Sequence, residues 1–193
     1  MRVIAGSAGG VRLAVPKRCV RPTMDRVKAA IFSSLGDAII GAHVLDLFVG
    51  SGALGIEALS RGAASAIFVE NGWQSAEVIE ENLTRTKLKG RILAQDVFDF
   101  LRHPSNAEKF AIIFADPPYE KMQRGESNVE KLLNNERLPH LLKVDGIFVL
   151  EERPNETVSG LKLWRVIRQK QYGTTEVLFL RKLAIGNRQS AIQ

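Results

Sequence analysis

Apolar residues along this chain come in short runs separated by amphipathic stretches. Val44-Leu45-Asp46-Leu47-Phe48, Ser65-Ala66-Ile67-Phe68-Val69-Glu70 and Arg91-Ile92-Leu93-Ala94-Gln95-Asp96 read as three strands, each carrying an acid inside it or at its end. Phe110-Ala111-Ile112-Ile113-Phe114-Ala115 and Gly146-Ile147-Phe148-Val149-Leu150-Glu151 read as two more. Runs this short and this apolar suit strands buried on both faces. Helical spacing fills the gaps, up to about Arg61 after the first strand, then over 73–88, a short helix from Val97 to Leu101, and 128–142. A further helix is predicted from Thr23 as N-cap, with Asp25 in its first turn, to about Leu35. Val27, Ala30, Ile31, Ser34 and Leu35 form its inner face, with Arg26 and Lys28 off it. The runs 163–171 and 175–182 are joined by Tyr172-Gly173-Thr174 with no helix between, so they read as an antiparallel pair. Residues 2–6 and 11–16 around Gly9-Gly10 read as a β-hairpin, which needs a surface to dock on.

Strands alternating with helices predict an α/β fold with a mostly parallel, doubly wound sheet, closed by an antiparallel C-terminal pair. The expected organisation is a small N-terminal hairpin extension over 1–22, the main domain over 23–183 and a flexible polar tail over 184–193. Such sheets bind ligands beyond the carboxyl ends of their strands, at the topological switch point. Glu70, Asp96 and Asp116 all fall at those ends, and the coincidence weighs more than any one of them.

Composition narrows the class. Of 193 residues, 45% are hydrophobic and 25% charged, as in an ordinary globular protein. No apolar stretch approaches the ~20 residues that span a bilayer, and Met1 to Gly6 opens no signal peptide. A cytoplasmic protein with no membrane partner is expected. Cys19 is the only cysteine, which excludes an intramolecular disulfide and a cysteine-based zinc site. His43, His103 and His140 are scattered, so no metal is expected. The net charge of +6 is unevenly spread. Residues 1–35 carry seven Lys/Arg against one Asp, and 153–193 carry eight Lys/Arg against two Glu, around an acidic middle. Basic flanks point to a polyanionic partner.

Gly50-Ser51-Gly52-Ala53-Leu54-Gly55 fits G-x-G-x-x-G between a strand and a helix. Its glycines let the backbone approach a ligand, and the helix start offers free N–H groups. Dehydrogenases carry this pattern too. Asp46, just ahead of the loop, would repel a pyrophosphate but can receive an ammonium, which favours S-adenosylmethionine. Glu70 can accept both ribose hydroxyls. Asp96 can accept from the adenine amine while Val97 packs on the ring; it can equally cap the next helix.

Asp116-Pro117-Pro118-Tyr119 follows the fourth strand. Two prolines stop the strand and stiffen the loop. Asp116 and the Pro117 carbonyl can accept the two N–H bonds of an aryl amine, aiming its lone pair at a methyl group. Tyr119 can stack on the base, which must leave its own stack to arrive. Asp116 also borders the cofactor pocket.

With Asp46-Leu47-Phe48, Gly50-Ser51-Gly52, Glu70, Asp96 and Asp116-Pro117-Pro118-Tyr119 in this order, the chain resembles the class I S-adenosylmethionine-dependent N-methyltransferases, whose sheet is Rossmann-like. The fuller match is similar to the bacterial 16S ribosomal RNA guanine(966)-N2-methyltransferase family. It runs through Arg2-Val3-Ile4-Ala5-Gly6, Gly10, Leu13, Pro16, Arg21-Pro22-Thr23, Asp25-Arg26-Val27, Leu54-Gly55-Ile56-Glu57-Ala58-Leu59-Ser60-Arg61-Gly62 and Tyr172-Gly173. The chain departs from that pattern at Val49 and Ala115, both apolar changes, and around Gly9-Gly10. The resemblance implies that Phe48, Gly50, Ser51, Gly52 and Thr23 lie against the cofactor, with Arg21-Pro22-Thr23 over it. It implies that the hairpin meets RNA, with Arg2, Arg12, Arg18, Arg21 and Arg26 as candidate contacts. The expected substrate is 16S ribosomal RNA in a partly or fully assembled 30S subunit, and the expected enzyme is a monomer.

Two rivals stand beside this reading. Adenine N6 methylation of DNA or RNA would use the same four-residue motif. A non-catalytic RNA-binding assembly factor would keep the fold and lose the cofactor. A nucleotide-dependent dehydrogenase is weaker, for no residue set for hydride transfer is present.

Overall fold

The computed structural model describes residues 1–16, 25–103, 109–118, 126–154 and 161–183. Its seven strands are β1 (His43–Leu47), β2 (Ser65–Glu70), β3 (Arg91–Ala94), β4 (Phe110–Ala115), β5 (Leu142–Glu152), β6 (Trp164–Tyr172) and β7 (Thr175–Lys182). Its helices are α1 (Asp25–Leu35), α2 (Ala53–Ser60), α3 (Trp73–Thr86), α4 (Val97–Arg102), α5 (Asn128–Leu133) and α6 (Leu138–Leu141). The strands form one sheet in the order β3-β2-β1-β4-β5-β7-β6. The first five are parallel; β7 runs antiparallel to both β5 and β6.

Alternation along the strands sorts the core into two layers. Val44, Phe68, Ile112, Phe114, Val149, Val177 and Phe179 pack with Ile31 and Phe32 of α1, Ile56 of α2 and Ile79 of α3. Leu45, Val69, Ile113, Phe148 and Leu178 face the other way, onto Leu101 of α4, Leu132 of α5 and Leu138 of α6. Both faces are covered, which explains why the central strands read as unbroken apolar runs. The order reverses between β1 and β4, and this is the switch point where a ligand crevice opens.

Four sequence expectations change. Residues 2–6 and 11–16 do not form a regular hairpin; one antiparallel bridge, Arg2 to Arg12, holds them, with Val3 N donating to Val11 O and Gly10 N to Val3 O. Asp96 does not end a strand: β3 stops at Ala94, and the Asp96 side chain caps α4. The helix expected over 128–142 is broken. α5 opens on a capping box from Ser127 and Glu130, and the Asn135 side chain then accepts from Arg137 N and Leu138 N to restart the chain as α6. β5 begins at Leu142, earlier than Gly146.

Candidate active site

The loop from β1 to α2 is built by backbone geometry and then tied down. Phe48, Gly50 and Gly52 all take positive φ, at 56°, 57° and 80°. That path costs a side chain strain, so Phe48 is the exception and the two glycines are the rule. Three side chains from three elements hold the loop. Glu70, the last residue of β2, accepts from Gly50 N at 2.9 Å with one oxygen and from Gly72 N at 2.9 Å with the other. Asp46 of β1 accepts from Gly55 N at 2.8 Å. Asn82 of α3 donates to Ser51 O at 2.9 Å.

Asp46 is 2% exposed. Burial pushes its carboxyl up to about 8; the Gly55 N–H works against this, and the nearby charges of Asp116 and Glu70 reinforce it. Asp46, Glu70 and Asp116 therefore share one electrostatic neighbourhood, as expected for groups around one crevice. Asp116 follows β4 directly, and β4 pairs with β1 in a register that sets Asp46 opposite Phe114. The two acids flank the switch point. Pro117, the next residue, is buried.

Asp96 and Val97 lie beyond β3. Asp96 Oδ1 accepts from Phe98 N at 2.8 Å and Asp99 N at 3.0 Å, and Val97 is buried. The two roles weighed for Asp96 are compatible, because a carboxylate has acceptor sites to spare after two bonds to one oxygen. Phe48 meets Phe98 edge-on with ring centres 5.9 Å apart, which joins the loop after β1 to the start of α4. Arg2, Arg12 and Arg26 are exposed. Thr23, Arg18, Arg21 and Tyr119 lie outside the described residues.

One reading from helical spacing is overturned. Lys28, placed off the inner face of its helix by periodicity, is fully buried. Its amine donates to Arg2 O and lies 3.5 Å from Glu57 and 3.9 Å from Asp25. Burial holds its pKa below the ordinary lysine value although both carboxylates oppose the shift. Glu57 is the centre of this cluster. It accepts from Ile4 N at 2.7 Å, Ala5 N at 3.1 Å and Arg61 Nε at 2.7 Å. Ser60 adds a bond from Ala8 N at 2.9 Å and one to Ala5 O at 2.6 Å. The segment Glu57 to Arg61 is thus a socket for the N-terminal arm, whose Val3, Ala8 and Leu13 enter the main core.

Sequence reasoning missed Asn82 and the role of Glu57. Asn82 sits on a helix among other polar residues, and nothing local marks it. The signal available was Glu57 inside an otherwise apolar helix, where an unpaired carboxylate would be costly.

The donor set fits a nucleoside that carries an amino acid. A buried acid that prefers to be neutral is suited to a cation that restores its charge, and Glu70 stands at the end of the next strand. Among the described residues, no group of three or more His, Cys, Asp or Glu is placed to hold a metal ion. None of their helices is long and apolar enough to cross a membrane.

A family model described as "Conserved hypothetical protein 95" matches residues 1–181. The Bacillus subtilis (strain 168) protein named "Putative rRNA methyltransferase YlbH" is 38% identical over 191 residues, 94% of this chain and 99% of that one. The Haemophilus influenzae "Ribosomal RNA small subunit methyltransferase D" is 32% identical over 177 residues, 90% of this chain and 89% of that one. The solved structure of "Putative methyltransferase yhhF from Escherichia coli" superposes with a TM-score of 0.77 at 29% identity, covering 94% of this chain and 97% of that one.

Proposed function

The chain belongs to the family described as conserved hypothetical protein 95, and we propose that within it the protein methylates the exocyclic N2 amine of a guanine in small-subunit ribosomal RNA. The guanine at position 966 is the one that the sequence resemblance implies. The observation that carries the reading is the convergence of Asp46, Glu70 and Asp116 around the switch point, with Asp116-Pro117 placed directly after β4.

S-adenosylmethionine, when bound, supplies a methyl group on a positively charged sulfur. Asp46 receives the ammonium of its amino-acid arm, and Glu70 the ribose hydroxyls. Asp96 takes the adenine amine while Phe48 and Val97 enclose the ring. The Gly50-Ser51-Gly52 backbone forms the floor, and Thr23 is a further cofactor contact that the resemblance implies. Asp116 and the Pro117 carbonyl accept the two N–H bonds of guanine N2, which orients the lone pair and offsets the charge that develops on nitrogen. Tyr119 stacks on the extruded base. Arg2, Arg12 and Arg26, with Arg18 and Arg21, contact phosphates and set the register of the RNA. The substrate is 16S RNA within a partly or fully assembled 30S particle, and the enzyme acts as a cytoplasmic monomer.

Incubating the protein with tritium-methyl cofactor and 30S particles from cells lacking its gene tests this. Label on guanine N2 is expected. Label on adenine N6 instead would support the rival enzyme reading, and no label on any particle would sink the assignment.

A further inference from the structure

Asn82 is fully buried in α3 and spends both ends of its amide on two different segments. Its Oδ1 accepts from Ala14 N at 2.7 Å, and its Nδ2 donates to Ala14 O at 3.0 Å. These two bonds copy the pairing of one strand residue with another, so the side chain serves the arm as a one-residue partner strand. The same Nδ2 donates to Ser51 O at 2.9 Å, in the middle of the glycine loop. The loop is held elsewhere by Glu70 and Asp46, both on the sheet. Asn82 is therefore where the N-terminal arm and the glycine loop hang from one group. A second touch runs alongside it, with Ser51 Oγ 3.8 Å from the Met1 sulfur.

A buried amide in such a network is well stabilised only when all its partners are in place. If Ala14 moves away, Asn82 loses two of its three bonds and the Ser51 carbonyl loses its fixed direction. The reverse holds when the loop shifts. A ligand that immobilises either segment removes part of the ordering cost of the other.

We propose that Asn82 is a positioning residue that couples the two substrates, so that RNA on the N-terminal arm and cofactor on the Gly50–Gly52 loop each tighten binding of the other. This rests on the reading above, in which the arm meets RNA and the loop meets cofactor. By linkage the effect is reciprocal, and about fivefold or more is the size such couplings take. A merely structural Asn82 would support the fold without linking the two affinities.

The test measures the dissociation constant of S-adenosylhomocysteine with and without saturating 30S particles from cells lacking the gene, and of the particles with and without S-adenosylhomocysteine. The wild-type protein is expected to show the same factor, about fivefold or more, in both directions. Asn82→Ala and Asn82→Asp, which lose both donated bonds, are expected to bring that factor close to one. Ser60→Ala, which weakens the arm's other anchor without reaching the loop, is expected to keep it. Wild-type protein that methylates the particles but shows no coupling overturns the proposal and leaves the activity assignment standing. So do Asn82 variants that keep the full factor. A second measurement needs neither variant folding nor RNA. S-adenosylhomocysteine should slow amide exchange at Ala14, whose N–H rests on Asn82, and unchanged exchange there overturns the proposal even if no RNA is methylated.

Discussion

If Asp46 receives the cofactor's ammonium as proposed, cofactor binding should depend on pH, in a direction and to an extent that follow from its raised carboxyl. In the ligand-free protein burial raises its carboxyl to about 8. An ammonium placed against it favours the ionised form and draws that value down again. Binding therefore expels a proton wherever Asp46 starts out neutral, and affinity climbs with pH up to about 8. Below that point each pH unit changes the affinity about tenfold, or about 1.4 kcal/mol. From about pH 5.5 to 7.5, below the range where an α-amino group titrates, the gain is about hundredfold. Calorimetry of S-adenosylhomocysteine in two buffers of different ionisation enthalpy counts the protons directly. Close to one should leave near pH 6, by about the same arithmetic. Asp46→Asn should weaken binding by about 2–4 kcal/mol and flatten the pH profile. Without ligand the sign is opposite. The folded state holds a proton up to about 8 that the unfolded chain releases near 4, so wild-type stability falls as pH rises across that window. Asp46→Asn should escape that fall. An affinity that stays flat from acid to neutral pH, with no proton exchanged, would refute the reasoning, because Asp46 would then be ionised already or would not face the ammonium.

Three further outcomes follow from the same geometry. Asp116→Ala should lower kcat by at least about a hundredfold while leaving S-adenosylhomocysteine affinity nearly unchanged; lost binding would show that its role is misassigned. Glu57→Gln should cost about 3 kcal/mol in urea unfolding, because Lys28 stays buried with its main counter-charge gone; a cost near zero would mean the pair carries no weight in holding the arm. Gly6→Ala places a Cβ 1.8 Å from the Ser60 carbonyl oxygen at a φ of +85°, so a loss of about 2 kcal/mol, or ~4–8 °C in Tm, is expected. An unchanged melting curve would show that the arm leaves its socket freely.

Much of this was legible in the sequence, for identifiable reasons. The strands were clear because a doubly covered sheet leaves short, wholly apolar runs, and β1, β2 and β4 lie close to where those runs are. The glycine loop was clear because its backbone path demands residues without side chains at Gly50 and Gly52. Boundaries were less clear where polarity misleads. Just after Leu142, β5 runs through Lys143, Val144 and Asp145, all exposed, and these looked like a loop before an apolar strand. The break between α5 and α6 depends on an Asn135 side-chain cap that helical spacing does not reveal. The largest misreading was Lys28. A cation at that spacing looks like a solvated face, and only the fold brings Glu57, 29 positions later, to meet it. Asn82 was invisible for the same reason: its partners, Ala14 and Ser51, lie 68 and 31 positions away.

The most direct test of the central claim is a mass map of modified nucleotides in 16S ribosomal RNA from cells with and without the gene. The account predicts that one N2-methylguanine, at position 966, disappears when the gene is removed and returns when it is restored, but not with Asp116→Ala. An unchanged map, or the loss of a methyl group from adenine N6 instead, would contradict it.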